Sequence, residues 1–438
     1  MSFKDTEVGK IPYDWDVKMI QDIGEVVSGG TPKTKELSYW DGNISWITPK
    51  DLSTFNERYI ENGERSITQE GLDNSSAKLL PKGTVLFSSR APIGYVAIAN
   101  KDLCTNQGFK NIVCDEVISH NQFIYYMMKY KKNEIESIAG GSTFKEVSGK
   151  TVKEFKIPVP PIEEQKAISK ILSDLDEKIE VNNKINKRLV EMAQSIFKHW
   201  FVDFEFPNED GQPYKSSGGE MVDSELGMIP KGWEVKELDS IVEVFNGYSY
   251  KGKELSESND AMVTIKNFDR NGGYKIEGLK EIIISDKVKE HHYVDIGDIV
   301  VAHTDLTQGA EIIGNPIIVT SKSKYDKLIM SMDTVKVKSI DENISDNIIY
   351  MILKDRRFKG YALGHMNGTT VLHLSKKCIP SYKIATPNDS SLLKDLDKLL
   401  KPLVENQINI IKQNEKLANL RDTLLPKLMS GEIRVQLD

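Results

Sequence analysis

The chain has 438 residues, of which 39% are hydrophobic and 28% are charged, and its formal net charge is −7. This balance is typical of a folded globular protein and argues against a fibrous or wholly disordered chain, while the length corresponds to about three domains of roughly 150 residues. There is no apolar run of the ~18 residues that a membrane span needs, and no apolar signal segment at the start, so we expect a cytoplasmic protein. The three cysteines have no paired spacing. We therefore expect neither disulfides nor a thiolate zinc site.

The negative charge is concentrated in one short segment. Residues 206–226 contain one lysine and five acidic residues, which gives 1 − 5 = −4. The longer segments 1–157 (20 − 21 = −1) and 227–384 (22 − 22 = 0) are close to neutral. An acidic total argues against a nucleic-acid partner, but the two neutral segments permit a basic face on each.

An internal repeat organises the chain. Residues 5–29, DTEVGKIPYDWDVKMIQDIGEVVSG, return at 223–247 as DSELGMIPKGWEVKELDSIVEVFNG, an offset of 218 positions. Two further blocks keep the same order: LPKGTVLFSSRAPIG from Leu80 matches VDIGDIVVAHTDLTQG from Val294, and GSTFKEVS from Gly141 matches GTTVLHLS from Gly368. We interpret the pattern as a tandem duplication of one domain together with its tail.

Both copies have the same order of predicted elements. A short opening that contains Trp15 or Trp233 is followed by alternation typical of a strand, and short apolar runs separated by Gly, Asn and Asp predict a β-rich domain. Helices are predicted at 121–132 and 346–358. A long helical tail then ends each copy.

The two tails have the most regular periodicity in the chain. Every seventh residue from Ile168, and every seventh residue from Leu396, lies on one seam, with Asn182 the polar member of the first series. We predict a helix from about 162 to about 200, roughly 58 Å long, packed antiparallel on the second tail. Pro402 should kink the second helix or mark a restart. The alternative is that each helix packs on its own domain.

Signatures of catalysis are incomplete or absent. The triplet Gly149-Lys150-Thr151 is typical of the end of a phosphate loop, but Phe144 occupies the place of its first glycine. The VPPI segment lacks the polar first and aromatic last residues of an amino-methyltransferase motif, and no GxGxxG opens a βαβ unit. None of the seven histidines has a metal-binding spacing. We therefore expect a non-catalytic chain that needs no cofactor or metal.

Taken together, the duplication, the IPxxW openings, the GST and GTT blocks, the two long helices and the segment SGGTPKTKELSYWDGNISWITPKDLS (28–53) resemble one family over essentially the full length. The chain is similar to the DNA-specificity subunit of type I restriction–modification enzymes. This resemblance implies an α+β fold, with two β-rich target-recognition domains separated by two long antiparallel helices and an internal pseudo-two-fold repeat. The implied segments are target-recognition domain 1 at 1–157, a central conserved helical region at 158–205, a connector at 206–226, target-recognition domain 2 at 227–384 and a C-terminal conserved helical region at 385–438.

The resemblance also implies partners. Each domain would read one half of a split site in double-stranded DNA, and the helices would hold the halves apart and bind two methyltransferase subunits. S-adenosylmethionine for DNA methylation is expected in those subunits, and motor–nuclease restriction subunits would join the complex. No membrane contact is expected. The alternative is an assembly or regulatory module of a methyltransferase complex that does not bind DNA.

Candidate DNA contacts lie in polar loops and at strand ends. In the first domain they are Thr31, Lys33, Thr34, Lys35, Lys50, Ser89, Arg90, Ser142, Thr143 and Lys145. In the second domain they are Tyr248, Lys251, Lys253, Lys266, Asn267, Arg270, His303, Thr304, Thr369 and Thr370. Arg90 is suited to guanine or phosphate, and the aligned Thr304 differs from it, as expected if the two half-sites have different sequences. The hydroxyls that the GST and GTT blocks share are expected to contact the DNA backbone. For the loop at 28–35, the alternative is an ordinary solvated turn without a role in binding.

Overall fold

The computed structural model of the protein describes residues 2–53, 55–90, 92–140, 145–270 and 272–436. The chain divides into two compact units: unit 1 comprises Met1–Val181 and Lys416–Asp438, and unit 2 comprises Asn182–Glu415. Each unit contains one β-rich domain and a part of each of two long helices. In the described part of the chain, no helix is both long enough and apolar enough to cross a membrane.

Unit 1 contains the first copy of the repeated domain. Its strands are β1 (Phe3–Thr6), β2 (Gly9–Pro12), β3 (Asp16–Met19), β4 (Gly24–Ser28), β5 (Trp40–Ile47), β6 (Tyr59–Ile60), β7 (Arg65–Ile67), β8 (Val85–Phe87), β9 (Val96–Ala99), β10 (Cys104–Thr105), β11 (Lys110–Cys114) and β12 (Lys156–Val159). Its helices are α1 (Pro49–Leu52), α2 (Gln69–Asp73), α3 (Asn121–Tyr130), α4 (Lys132–Ser137), α5 (Gly149–Glu154), the start of α6 (Ile162–Phe197) and the end of α9 (Ser390–Met429).

A five-stranded sheet with the order β4-β11-β8-β9-β6 forms the centre of this domain. Its middle strand, β8, has the sequence Val85-Leu86-Phe87, and all three side chains are fully buried. Because successive side chains of a strand point to opposite faces, Val85 and Phe87 pack with Phe123 of α3 in one core, while Leu86 packs with Ile47 in another. Burial on both faces explains why this strand appears in the sequence as an uninterrupted apolar run.

Unit 2 contains the second copy. Its strands are β13 (Met221–Ser224), β14 (Gly227–Pro230), β15 (Trp233–Glu237), β16 (Val242–Asn246), β17 (Asp260–Val263), β18 (Lys280–Glu281), β19 (Tyr293–Val294), β20 (Ile299–Ala302), β21 (Thr304–Asp305), β22 (Pro316–Ile318), β23 (Lys327–Met330), β24 (Thr334–Ser339), β25 (Met366–Asn367), β26 (Leu372–Leu374) and β27 (Lys383–Pro387). Its helices are the end of α6, α7 (Asp346–Lys354), α8 (Arg356–Gly364) and most of α9 (Ser390–Met429). Strand β13 begins within the segment 206–226 that the resemblance assigns to a connector.

The two domains share a topology, which confirms the internal repeat. In unit 2 the central sheet has the order β16-β24-β20-β22, and its strand β20 is buried on both faces, as β8 is in unit 1. Both domains open with an antiparallel hairpin, β1–β2 or β13–β14. In both, the strand after that hairpin pairs antiparallel with the last strand of the domain, β3 with β12 and β15 with β27.

Helices α6 and α9 pack antiparallel in unit 1. Ile168 near the start of α6 shares a core with Leu428 near the end of α9. Further along α6, the Nη1 of Arg421 donates to the Oδ1 of Asp176 at 2.6 Å. Residue numbers therefore rise along one helix as they fall along the other.

The same arrangement holds in unit 2. The Nδ2 of Asn182 donates to the Oε1 of Gln413 at 2.8 Å and to the Oδ1 of Asn414 at 2.7 Å. Towards the end of α6, Ala193 lies in one core with Val404 of α9. The predicted antiparallel helix pair is confirmed in each unit, and the predicted helix at about 162–200 is observed as α6 followed by a π-helical turn at Lys198–Val202.

The structure decides two helix predictions. Helix α9 continues through the exposed Pro402, so of the two predicted outcomes, a kink or a restart, the restart is excluded. The helix predicted at 346–358 is two helices, α7 and α8. Asp355 separates them with an extended backbone (φ −67°, ψ 144°), and its side chain caps α8 by accepting from the Arg357 amide.

Candidate nucleic-acid interface

The loop at 29–36 in unit 1 is held by two tryptophans. The indole N–H of Trp46 donates to the carbonyl of Gly30 at 2.9 Å, and that of Trp40 donates to the carbonyl of Lys33 at 3.2 Å. The two rings meet edge to face with their centroids 5.0 Å apart, and the guanidinium of Arg65 lies 3.5 Å from the Trp40 ring centroid. The loop backbone is thereby fixed on a buried aromatic support.

Side chains on this loop remain available to a ligand. Lys33, Thr34 and Lys35 are exposed, whereas Thr31 is partly buried and its hydroxyl bonds to Gln107. A fixed backbone with exposed ammonium and hydroxyl donors suits contacts to phosphate oxygens.

Lys50 lies on α1, directly after strand β5. Its ammonium donates to the carboxylate of Glu64 at 2.6 Å, and this hydrogen bond raises the pKa of Lys50. The neighbouring Asp51 accepts from the backbone amides of Thr48 and Glu64, both at 2.7 Å. Lys50 is exposed but already paired, and Asp51 fixes the fold of the loop.

Of the two candidates that follow strand β8, Ser89 lies inside the protein and Arg90 lies at the surface. Ser89 is fully buried, and its hydroxyl donates to the carbonyl of Gly108 at 3.1 Å. Arg90 reaches solvent with 46% of its side chain exposed, and its Nε lies 3.0 Å from the Oε2 of Glu146. Lys110, with 9% of its side chain exposed, lies 3.9 Å from the other oxygen of Glu146, and burial lowers the pKa of its ammonium. Arg90 therefore presents a charge at the surface, while Ser89 supports the backbone.

The remaining candidates of the first domain lie beside this cluster in sequence. Lys145 is exposed. Ser142 and Thr143 lie outside the described residues, so their predicted contacts with the DNA backbone stay predictions.

The backbone around Arg90 has a counterpart in unit 2. Arg90 and Glu146 face each other across an antiparallel bridge, and Glu146 also pairs with Gly140. In unit 2, Thr304 faces His373 in the same way, and His373 pairs with Asn367. The hydrogen bonds also correspond: the amide of Val147 donates to the carbonyl of Ser89 and that of Leu374 to the carbonyl of His303, both at 2.8 Å. We call this backbone arrangement the ladder; it consists of residues 89–90 and 146–147 in unit 1, and of residues 303–304 and 373–374 in unit 2.

The two candidates on the unit 2 ladder are less exposed than Arg90. Thr304 is 4% exposed, and its hydroxyl donates to the carboxylate of Asp333 at 3.2 Å. His303 is partly buried; burial lowers the pKa of its imidazole, and the nearby Lys376 and His373 lower it further. His373, which was not among the contacts predicted from the sequence, is exposed beside them.

Three other candidates lie near the start of the second domain. Lys251 and Lys253 are exposed. Tyr248 is 6% exposed, and its hydroxyl bonds to Glu254 at 3.0 Å and to Ser285 at 2.8 Å. The tyrosine therefore holds the loop that presents the two lysines.

Lys266 and Arg270 line one groove of about 440 Å³, together with Lys275, which was not among the contacts predicted from the sequence. Arg270 also forms an ion pair with Glu311 at 2.9 Å. Asn267 is fully buried; its side chain accepts from the Thr264 amide and donates to the Lys275 carbonyl, both at 2.8 Å. Asn267 was predicted as a DNA contact, but its side chain is not exposed for one, because its amide satisfies the backbone of the turn that carries Lys266.

Thr369 and Thr370 are exposed before strand β26. The carbonyl of Thr369 accepts from the Nε2 of Gln308 at 2.5 Å. The structure thus places Glu146 opposite Arg90 in the ladder of unit 1, and His373 opposite Thr304 in the ladder of unit 2. Neither Glu146 nor His373 was predicted as a contact. Their alignment within the GST and GTT blocks was the sequence signal that could have identified them.

No group of three or more His, Cys, Asp or Glu side chains in the described part of the chain is arranged to hold a metal ion. Burial raises the pKa of the Cys104 and Cys378 thiols to about 12. Both therefore stay protonated and unreactive near neutral pH.

Comparison with known proteins identifies the family. The family described as type I restriction modification DNA specificity domain matches residues 12–191 and 230–418. The chain belongs to this family. It is 39% identical to the type I restriction enzyme MjaIX specificity subunit of Methanocaldococcus jannaschii over 99% of this chain and 97% of that protein. It is 24% identical to the MjaVIII specificity subunit of the same organism over 99% and 96% of the two chains.

A solved structure supports the fold of this specificity-family chain. The crystal structure of a type I restriction–modification S subunit from M. genitalium superposes with a TM-score of 0.55, at 18% identity, over 95% of this chain and 96% of that one. Each of the two matched ranges covers most of one β-rich domain and most of the long helix that follows it, α6 in the first range and α9 in the second.

Proposed function

We propose that this chain reads a two-part site in double-stranded DNA, one half with each β-rich domain, and that it holds two methyltransferase subunits and the motor–nuclease subunits of a type I restriction–modification complex. The chain itself performs no bond-making step. S-adenosylmethionine is bound by the methyltransferase subunits.

The observation that carries this proposal is the ladder, which has one backbone geometry and two sets of side chains. A protein that reads two different half-sites needs two similar surfaces with different donors and acceptors, because base edges are distinguished by their hydrogen-bonding pattern. Arg90 and Glu146 in unit 1, against Thr304 and His373 in unit 2, meet that requirement. Membership of the specificity family and the name of the relative with 39% identity support the same function.

Exposed lysines explain how a chain of net charge −7 could bind a polyanion. Those of the candidate set are Lys33, Lys35, Lys50, Lys145, Lys251, Lys253 and Lys266. Each phosphate contact releases counterions, so the affinity should fall linearly with the salt concentration on a logarithmic plot, with a slope of about −0.9 per contact.

The experiment is to measure DNA binding by the chain assembled with its methyltransferase subunits, at several salt concentrations, on a selected sequence and on a scrambled one. Salt-dependent binding that prefers the selected sequence is expected. Assembly with the subunits but no preference among DNA sequences would instead favour the non-reading assembly module.

Activity provides a second test. We expect DNA methylation when the chain, methyltransferase subunits and S-adenosylmethionine are combined, and none from the chain with S-adenosylmethionine alone. Methyl transfer or cleavage by the purified chain would contradict a non-catalytic role.

A further inference from the structure

The ladder of unit 1 presents a donor and an acceptor side by side. Arg90 is 46% exposed and Glu146 is 36% exposed, and their tips lie 3.0 Å apart. Their backbones are fixed from both sides: the amide of Gly140 donates to the carbonyl of Glu146 at 3.1 Å, the amide of Glu146 donates back to Gly140 at 2.9 Å, and Val147 donates to the buried Ser89 at 2.8 Å. The two side chains can therefore reorient on a backbone that stays in place.

A carboxylate near DNA is repelled by phosphate, so it is favourable only where a neighbouring cation neutralises it or where it accepts a hydrogen bond from a base. In the major groove the exposed amino donors are cytosine N4 and adenine N6, while guanine offers the acceptors O6 and N7 that arginine prefers. Guanine O6 and cytosine N4 are hydrogen-bonded to each other and so lie about 2.7–3.2 Å apart. That separation matches the distance between the tips of Arg90 and Glu146.

We infer that Arg90 and Glu146 read one G·C base pair together, with the guanidinium on guanine and the carboxylate on the N4 amine of cytosine. Glu146 is thus a specificity-determining residue, and the equivalent pair Thr304 and His373 reads one base pair of the other half-site through His373. This inference rests on the proposed function and specifies the base pair that the unit 1 ladder recognises.

The alternative role for Glu146 is structural: its carboxylate neutralises the positive charges of Arg90 and Lys110. Lys110 is nearly buried and lies 3.9 Å from one carboxylate oxygen, while Arg90 binds the other. A residue that only balances charge would alter the affinity for all DNA sequences equally. A residue that reads cytosine would alter the preference at one base pair, so the sequence preference separates the two roles.

The experiment selects DNA from a randomised library with the full chain assembled with its methyltransferase subunits, and compares the wild type with Glu146→Gln and Arg90→Lys. We expect the wild type to require a G·C pair in one half-site, and each variant to lower the preference at that same pair by about 10-fold while the other half-site is unchanged. Glu154→Gln is the matched control, because Glu154 is an exposed carboxylate of the same domain paired to Lys150 at 3.8 Å. It should leave every position unchanged.

His373→Ala extends the test to unit 2. We expect it to relax one base pair in the second half-site only, and thermal unfolding of each variant confirms that it remains folded. If Glu146→Gln changes the overall affinity but leaves the selected sequence as in the wild type, Glu146 only balances charge and the inference is overturned. If the wild-type complex selects no sequence at all, the proposed function fails first, and the inference fails with it.

Discussion

At the scale of single residues, exposure separates the candidates that can meet DNA from those that support the surface. Lys33, Thr34 and Arg90 reach solvent, whereas Ser89 and Asn267 are fully buried. All five are polar residues in polar segments, so their types alone do not distinguish them. Burying a polar group is unfavourable unless it is hydrogen-bonded, and both buried residues donate to backbone carbonyls, Ser89 to that of Gly108 and Asn267 to that of Lys275.

Replacing Arg90 with Ala should weaken recognition of only the half-site read by unit 1. A bidentate contact to guanine contributes about 1–3 kcal/mol of discrimination. Competition binding with DNA altered in one half-site at a time measures the effect. Lys150→Ala, which removes an exposed charge from the same unit, should lower the affinity slightly for all sequences. Changes at both half-sites, or at neither, would contradict this role for Arg90.

His303 should make the stability of unit 2 depend on pH. Burial, then the charges of Lys376 and His373, lower the pKa of its imidazole below the usual value of about 6.5. As the pH falls through about 6.5, the unfolded chain takes up a proton before the folded one, so the free energy of unfolding falls and then levels off below the folded-state pKa. Urea unfolding at several pH values should show a weaker dependence in His303→Gln. The exposed His199→Gln should show the wild-type dependence.

At the scale of elements, the helix pair is held by an apolar seam with polar contacts set into it. In unit 1, Asp176 accepts from Arg421 at 2.6 Å and from the hydroxyl of Tyr126 at 2.7 Å, and its side chain is 7% exposed. In unit 2, Asn182 is 2% exposed and bonds to two amide side chains of α9. Such contacts fix the register of a helix pair, because shifting it would leave buried polar groups unpaired.

Arg421→Ala should destabilise the protein by about 3 kcal/mol, since it leaves the buried carboxylate of Asp176 with one neutral donor. The 21% exposure of the arginine side chain keeps the loss at the lower end of the range for buried ion pairs. Chemical denaturation measures the change. Arg188→Ala on the exposed face of α6, where the ion pair with Glu191 has an 80% exposed arginine, should change stability by less than about 0.5 kcal/mol. Equal effects of the two substitutions would show that Asp176 finds another partner.

At the scale of the whole molecule, the chain passes between its two units at 181–182 in α6 and at 415–416 in α9. Both connections lie inside continuous helices. Insertions at these two points leave the contacts within each unit intact. They provide a direct test of whether helix length sets the gap between the half-sites.

We expect four residues inserted after Val181, with four matching residues after Glu415, to lengthen the tolerated gap by one or two base pairs. Four helical residues add about 6 Å and roughly one turn, and one base-pair step is about 3.4 Å. Sequence selection with the assembled complex should return both half-sequences unchanged. A folded and active insertion variant that keeps the original gap would show that the helices do not set it.

The sequence by itself determined the duplication, the β-rich domains and the long helices, and it predicted the antiparallel pairing that the structure shows. These features depend on periodicity and on blocks that recur in order, and both can be seen in the sequence without knowing which residues are in contact. Sequence also indicated the segments that carry the candidate site, including the loop predicted at 28–35 and residues 88–90, which follow strand β8.

Tertiary structure alone decided which side chains of those segments face outward and which meet. Arg90 and Glu146 are brought together by a strand pairing that the sequence does not display, and Thr304 meets His373 in the same way. Asn267 turns inward because its amide satisfies a nearby backbone turn. The physical reason is common to all three cases: a polar side chain is equally suited to water, to DNA and to an unpaired backbone group, and only the distance to its partners decides between them.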